Sequence, residues 1–155
     1  MKILITGGAG FIGSHLCDAL MERGHNLTVV DNLVLGRKEN ISHLLGKVGF
    51  EFIEEDLLHT EAMRDIFKDR KFDMVYHLAA NSDIQKGGKD PQVDYDLTFN
   101  TTFHVLRYLK EFGIKKFFFA STSAIYGETS DILNENYGPL CPVSNYGAGK
   151  LASEA

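Results

Sequence analysis

The sequence predicts an α/β fold, a doubly wound parallel sheet. Short apolar runs alternate along the chain with segments of helical spacing, the pattern of parallel strands joined by right-handed helical crossovers. The strand candidates carry apolar residues on both faces, as in a sheet covered on both sides. The first strand candidate also runs into a glycine cluster immediately before a helical pattern. Composition agrees. Of 155 residues, 44% are hydrophobic and 24% charged, ordinary values for one globular domain with a core. The formal charge of −5 argues against a nucleic-acid binder, which carries a basic face.

The elements follow in order. Lys2 to Thr6 reads as a buried strand and Gly7 to Gly13 as its turn. Phe11 to Arg23 has apolar residues at 11, 12, 16, 19 and 20, near helical spacing, and Gly24 stops that helix. Leu27 to Val30 is a β-branched second strand ending at Asp31. Glu39 to Leu45 reads as a helix, Phe50 to Ile53 as a third strand ending near Asp56, and Glu61 to Phe67 as a short amphipathic helix. Met74 to Leu78 is the fourth strand. Asn81 to Pro91, with its Gly87-Gly88 pair, reads as loop. Val93 to Phe112 is a long helix with Leu97, Phe103, Leu106 and Leu109 along its apolar stripe, stopped by Gly113. Lys116 to Ala120 is a fifth strand, Gly127 to Pro142 is irregular, and helical composition resumes at Tyr146.

Gly7, Gly10 and Gly13 stand in a G-x-x-G-x-x-G spacing between strand and helix. Glycines there permit a tight turn and let backbone approach a pyrophosphate, and the helix N-terminus offers N–H groups and partial positive charge to phosphates. Asp31 follows 18 residues after Gly13. An acidic group about 20 residues on accepts hydrogen bonds from the adenosine ribose. The same carboxylate repels a 2′-phosphate, which favours NAD over NADP, although Arg37 and Lys38 are near enough in sequence to bind that phosphate. Asp56 stands either where a side chain reaches the adenine or as an ordinary loop aspartate.

Tyr146 and Lys150 lie at i and i+4, on one face of a helix. A nearby ammonium favours the phenolate and lowers a tyrosine pKa, so such a tyrosine is suited to act as a base toward an alcohol. The two cysteines, Cys17 and Cys141, form no disulfide framework; free thiols and a reducing cytoplasmic compartment are expected. No apolar run approaches the roughly 20 residues of a membrane span. The six His residues show no zinc spacing, and no metal is expected.

With these residues in hand, the chain resembles the extended branch of the short-chain dehydrogenase/reductases, the NAD-dependent epimerase/dehydratase family of sugar-nucleotide enzymes. The resembling stretches are Thr6 to Ser14 (TGGAGFIGS), Asp31-Asn32-Leu33, Asp56-Leu57, His77 to Ala80, Ala120 to Gly127 (ASTSAIYG) and Tyr146 to Lys150, in family order. The resemblance implies a Rossmann domain over residues 1–155. It implies that Gly7, Gly10 and Gly13, with the backbone of Phe11 and Ile12, carry the NAD pyrophosphate. Asp31 and Asn32 then hold the ribose, Asp56 and Leu57 flank the adenine, and Leu78, Ala79 and Ala80 line the cofactor. Lys150 binds the nicotinamide ribose and tunes Tyr146, the base. Thr122 supplies the catalytic hydroxyl, with Ser123 the second choice. Thr98 matches a family Asn and, as a threonine, offers a hydroxyl but no amide. Ser82, Thr122 and Ser123 are the candidates for substrate contact.

The implied activity is epimerisation of a nucleotide sugar, of the UDP-glucose 4-epimerase kind, through transient oxidation of a sugar hydroxyl. Dehydratases carry Asp-Glu directly after the catalytic Thr, and decarboxylases carry Glu at the second of those positions. Here the two positions are Ser123 and Ala124. The alternatives are another reaction of the same family, dehydration or reduction, and a non-catalytic NAD-binding fragment. The resemblance also implies that the chain is an amino-terminal part, lacking the last strands and the carboxy-terminal substrate domain, and that the full protein is a homodimer through a helix pair.

Overall fold

The computed structural model describes all of residues 1–155. It divides into two units, residues 1–79 with 104–119 and residues 80–103 with 120–155.

The first unit holds the whole sheet. Strands β1 (Lys2–Thr6), β2 (Asn26–Asp31), β3 (Phe50–Glu54), β4 (Met74–His77) and β5 (Phe117–Phe119) are all parallel, in the order β3-β2-β1-β4-β5. Period-two alternation along the strands sorts two cores. Leu4, Val30 and Val75 face one side and pack with Met63, Ile66 and Phe67 of α2 (Thr60–Arg70) and with Val105, Tyr108 and Leu109 of the later helix. Ile3, Ile5, Leu27 and Val29 face the other side and pack with Cys17 and Leu20 of α1 (Phe11–Glu22) and with Ile41 and Leu44. The sheet is therefore covered on both faces, as its apolar composition requires. No helix is long and apolar enough to cross a membrane.

The second unit is built differently. It contains α3 (Ile84–Lys89), α4 (Pro91–Asp94), a π-helical segment (Tyr95–Asn100), the start of α5 (Thr101–Glu111), a 3₁₀ turn (Ser123–Tyr126) and α6 (Asn145–Glu154). Its buried side chains are mostly polar: Asn81, Asp94, Thr98, Thr101, Thr102 and Lys150, with Ile125 the buried aliphatic. Hydrogen bonds specify its packing where apolar volume does not.

Three expectations are corrected. The segment expected as a helix near residues 39–45 is a 3₁₀ helix, Lys38–Leu44. The stretch expected as loop contains α3, because the Asp83 carboxylate caps its first turn by accepting from Lys86 N–H at 3.0 Å. The long helix is interrupted by the π segment, whose extra residue per turn rotates the faces. Asp94, Thr98, Thr101, Thr102, Val105 and Leu109 are consequently buried, while Phe103 and Leu106 are 49% and 38% exposed.

Candidate functional site

The glycine loop is shaped for close backbone approach. Gly7 has φ +72, and a Cβ there would stand 2.7 Å from the Ala79 amide nitrogen. At Gly13 a Cβ would meet the Gly7 carbonyl and come within 2.6 Å of Gly8 Cα. Gly7 N–H donates to Val30 O at 2.9 Å and Gly10 N–H to Gly7 O at 3.2 Å. The α1 N-cap is Gly10, so no side chain caps that helix start. Phe11 and Ile12 are 78% and 67% exposed there. First-turn N–H groups without a side-chain acceptor, beside a cradle that any Cβ would fill, fit a bound pyrophosphate.

Asp31 closes this loop onto β2. Its carboxylate accepts from Ala9 N–H at 3.0 Å and Leu33 N–H at 2.9 Å. Burial pushes its pKa up, opposed by those two N–H donors. A carboxylate has about four acceptor sites, so capacity for ribose hydroxyls remains. Asn32 donates to Asp56 Oδ2 at 2.9 Å, and Asp56 Oδ1 accepts from Leu58 N–H at 2.8 Å. This pair ties the ends of β2 and β3 together. The Leu57 side chain lies in the core, so its backbone is what it can offer a ligand. Lys38, a candidate for a 2′-phosphate, lies 3.9 Å from Glu54 and over the Phe52 ring.

On the other side of the loop, Thr6 Oγ1 and His77 Nδ1 are 2.6 Å apart and both groups are fully buried. Leu78 N–H donates to Thr6 O at 3.1 Å, and Ala79 N–H reaches Thr6 Oγ1 at 3.5 Å. The β4 exit that carries Leu78 and Ala79 is thereby fastened to the β1 exit that carries Gly7.

In the second unit, Thr122 caps the 3₁₀ turn. Its Oγ1 accepts from Ala124 N–H at 3.2 Å, and its hydroxyl is near enough to the Tyr146 phenol to act on it in the direction that lowers its pKa. Ser123 is exposed, as is Ser82. Helix α6 starts under the Ser144 cap, whose Oγ accepts from Gly147 N–H at 3.0 Å. It presents Tyr146, partly buried, and Lys150, which is 1% exposed. Lys150 Nζ donates to Ala120 O at 2.7 Å and lies 5.8 Å from the Tyr146 ring centroid. Burial lowers the Lys150 pKa to about 8. Tyr146 departs from the sequence expectation. Its pKa is raised, first by burial and then by the Asp94 carboxylate, against a lowering hydrogen bond from Thr122. Burial is the largest of these influences, so it sets the direction in this state.

Thr98 is placed in packing. Its Oγ1 accepts from Asn81 N–H at 3.3 Å, and its methyl faces Gly149. Ala80 is half-buried at the edge of this unit. Sequence reasoning missed Asn81 and Asp94, both 2% exposed, with Asn81 Nδ2 donating to Asp94 Oδ1 at 2.7 Å. The available signal was an aspartate four residues before Thr98 on one helix face.

Comparison with known proteins extends these observations. The NAD dependent epimerase/dehydratase family profile matches residues 3–155. A UDP-glucose 4-epimerase of Lacticaseibacillus casei is 33% identical over 154 residues, covering 99% of this chain and 45% of the relative. UDP-glucuronic acid decarboxylase 1 of Danio rerio is 37% identical over 158 residues, covering 99% of this chain and 36% of the relative. The chain thus spans less than half the length of these curated relatives. Among solved structures, the UDP-glucose 4-epimerase of Thermus thermophilus in complex with NAD superposes with TM-score 0.90 at 36% identity, over 99% of this chain and 49% of that one. The Thermotoga maritima UDP-glucose 4-epimerase with UDP-glucose gives the same TM-score, identity and coverage. A glycine cradle on a parallel β3-β2-β1-β4-β5 sheet, a Thr–Tyr–Lys cluster and a match across nearly every residue have one common explanation: the chain belongs to the NAD dependent epimerase/dehydratase family.

Proposed function

We propose that the protein to which this chain belongs is an NAD-dependent sugar-nucleotide 4-epimerase of the UDP-glucose type. The observation that carries the reading is the grouping of Thr122, Tyr146 and Lys150 in one unit, with Lys150 buried and its Nζ 5.8 Å from the centre of the Tyr146 ring. When bound, NAD supplies a hydride acceptor. Gly7, Gly10, Gly13, Phe11 and Ile12 would hold its pyrophosphate through backbone, and Asp31 with Asn32 its ribose. Once ionised, the Tyr146 oxygen takes the proton from a sugar hydroxyl and later returns it. Thr122 accepts from Ala124 N–H, which leaves its own O–H free to donate to the reacting oxygen. Lys150, with its pKa lowered to about 8, is poised to carry charge or shed it near neutral pH.

Dehydration and decarboxylation both need an acidic group just after Thr122, and Ser123 and Ala124 provide none. That supports epimerisation over those reactions of the family. The cytoplasm suits a chain whose Cys17 and Cys141 are free thiols. Homodimerisation through the long helix is supported by an exposed aromatic run. Tyr95 and Phe103 are 52% and 49% exposed, with Phe99 against both. Light scattering of the full-length gene product tests the dimer.

The function is tested by incubating the full-length product with UDP-galactose and following UDP-glucose. Epimerisation that is lost in Tyr146→Phe is expected. Unchanged turnover in that variant would remove Tyr146 from the chemistry. Carbon dioxide release from UDP-glucuronate without epimerisation would move the protein to the decarboxylases.

A further inference from the structure

Ala9 sits at the centre of the glycine loop, fully buried, and both of its backbone polar groups are held from outside the loop. Its N–H donates to Asp31 Oδ2 at 3.0 Å. Its carbonyl accepts from two donors of one turn, Arg37 N–H at 3.0 Å and Asn40 Nδ2 at 2.8 Å. A carbonyl oxygen has two lone pairs, so both are engaged. The turn is itself closed, with Asn40 N–H donating to Arg37 O at 3.0 Å. It opens the 3₁₀ helix Lys38–Leu44, whose Ile41 and Leu44 are buried in the core shared with α1. The Asn40 side chain therefore reaches the loop from a backbone that the core holds still. Asp31 is walled in as well: a Cβ at Gly36 would stand 2.7 Å and 2.8 Å from its two carboxylate oxygens. All of these residues belong to the first unit.

We propose that Asn40 is a positioning residue for the dinucleotide: its side-chain amide fixes the peptide between Ala9 and Gly10, and with it the helix start that would receive the pyrophosphate. That peptide needs a brace. Gly10 lacks the Cβ that would restrict its φ, and no side chain caps the helix it begins. A peptide unit is planar, so its C=O and its N–H turn together. Holding Ala9 O thereby holds the Gly10 N–H, which donates to Gly7 O at 3.2 Å. Reversed, the same peptide would aim a carbonyl oxygen at Gly7 O and open the turn just ahead of the first-turn N–H groups of α1. Two parts of the site are thus joined through one residue: Asp31, on the ribose side, grips the Ala9 N–H, and Asn40 grips the Ala9 carbonyl. Arg37 contributes through its backbone N–H, which every residue but proline supplies. The donor that a substitution can remove is the Asn40 amide. The inference rests on NAD binding by this family and not on which reaction follows.

The test uses the full-length protein freed of cofactor. Titration calorimetry with NAD reads affinity, and amide hydrogen exchange before NAD is added reads the order of the loop. Asn40→Asp keeps the shape and puts an acceptor where the donor was; Asn40→Ala removes the group. Ser42→Ala is the control, because Ser42 Oγ donates to Glu39 O at 2.9 Å inside the same 3₁₀ helix. Both Asn40 variants are expected to weaken NAD binding about fivefold or more, the equivalent of one net hydrogen bond. Exchange of the Ala9 and Gly10 amides should quicken by a similar factor relative to that of Val29. Ser42→Ala should leave both readouts at their wild-type values. Wild-type NAD affinity in Asn40→Asp overturns the proposal. An equal loss in Ser42→Ala overturns it too, because general loosening of the 3₁₀ helix would then be the cause. Weaker binding with unchanged exchange at Ala9 and Gly10 also overturns it, since Asn40 would then act on the cofactor without the loop. Should Asn40→Asp fail to fold, Asn40→Ala is judged by the same three results. A protein that binds NAD and does not epimerise leaves these outcomes unaffected, so the two readings fail separately.

Discussion

Replacing Gly7 by alanine isolates what the glycine cradle costs and why it is there. Gly7 and Gly24 have nearly the same left-handed backbone, φ +72 and +74. A Cβ at Gly24 would meet nothing within 4 Å, whereas at Gly7 it would lie 2.7 Å from Ala79 N, 2.9 Å from Ala79 Cα and 3.0 Å from Leu78 C. Gly24→Ala therefore reports the conformational penalty alone, about 1–2 kcal/mol. Gly7→Ala adds a collision with backbone, which cannot swing aside as a side chain can. Overpacking of that kind costs about 1–3 kcal/mol, for a total of about 2–5. The strain falls on the Leu78 N–H to Thr6 O bond that joins the β4 and β1 exits. At this chain length about 2–4 °C of Tm is lost per kcal/mol, so Gly24→Ala should lose roughly 2–8 °C and Gly7→Ala roughly 4–20 °C. Urea unfolding followed by circular dichroism measures both, and unchanged m-values license the comparison. NAD titration of the same samples should show weakened binding in Gly7→Ala only. If the two variants lose equal stability, the contact with Ala79 is not what demands glycine, and the cradle argument fails.

Three further outcomes are expected. Lys150 loses its proton near pH 8 when folded but near 10.5 when unfolded, so the unfolded chain binds more protons between those values. Stability must then rise with pH across that window, and wild type should gain about 3 kcal/mol on Lys150→Met between pH 8 and 10.5; parallel curves would refute this. Burial holds the Cys17 thiol up to about 12, while Cys141 is exposed. Ellman's reagent at pH 8 should find one thiol per native chain and two after denaturation; two in the native state would contradict the burial of Cys17. Gly147→Ala and Gly149→Ala should differ in sign. A Cβ at 147 would stand 2.7 Å from Ala124 O, while at 149 its nearest contact is 3.5 Å. The first should destabilise by about 1–2 kcal/mol and the second stabilise by about 0.5–1, read from urea midpoints.

The first unit was legible because its signals are local. Apolar runs such as Ile3-Leu4-Ile5 and Phe117-Phe118-Phe119 mark strands wherever they pair, and Gly24 and Gly113 stop helices by their own geometry. The second unit was less so, because tertiary contacts decide it. Gly87-Gly88 suggests a loop, yet Gly87 is required by the nearby Asp94 carboxylate and α3 forms around it. The π segment has no periodic signature, and its extra residues moved the buried stripe from Phe103 and Leu106 to Thr98, Thr102 and Val105. Tyr146 and Lys150 were placed by spacing on one helix. Their electrostatics were not, because depth of burial, the leading influence on both groups, is not a sequence property. Asp94 stayed hidden for a related reason: its partner Asn81 stands 13 residues away.

The sheet order has a kinetic consequence. No ladder joins neighbours through a hairpin. The paired positions Lys2–Asn26, Leu27–Phe50, Val75–Phe117 and Ile3–Met74 are separated by 24, 23, 42 and 71 residues. Loop-closure entropy grows with the logarithm of length, so joining β4 to β1 costs about 1 kcal/mol more than joining β3 to β2. The strand half that carries Gly7 and Asp31 is therefore expected to zip before the half that carries His77 and Ala79. Pulse-labelled hydrogen exchange during refolding would then find amides of Leu27 to Val30 protected ahead of those of Val75 to His77. The long central crossover makes the meeting of β1 and β4 the slow event, and the dinucleotide cradle is completed only when it happens.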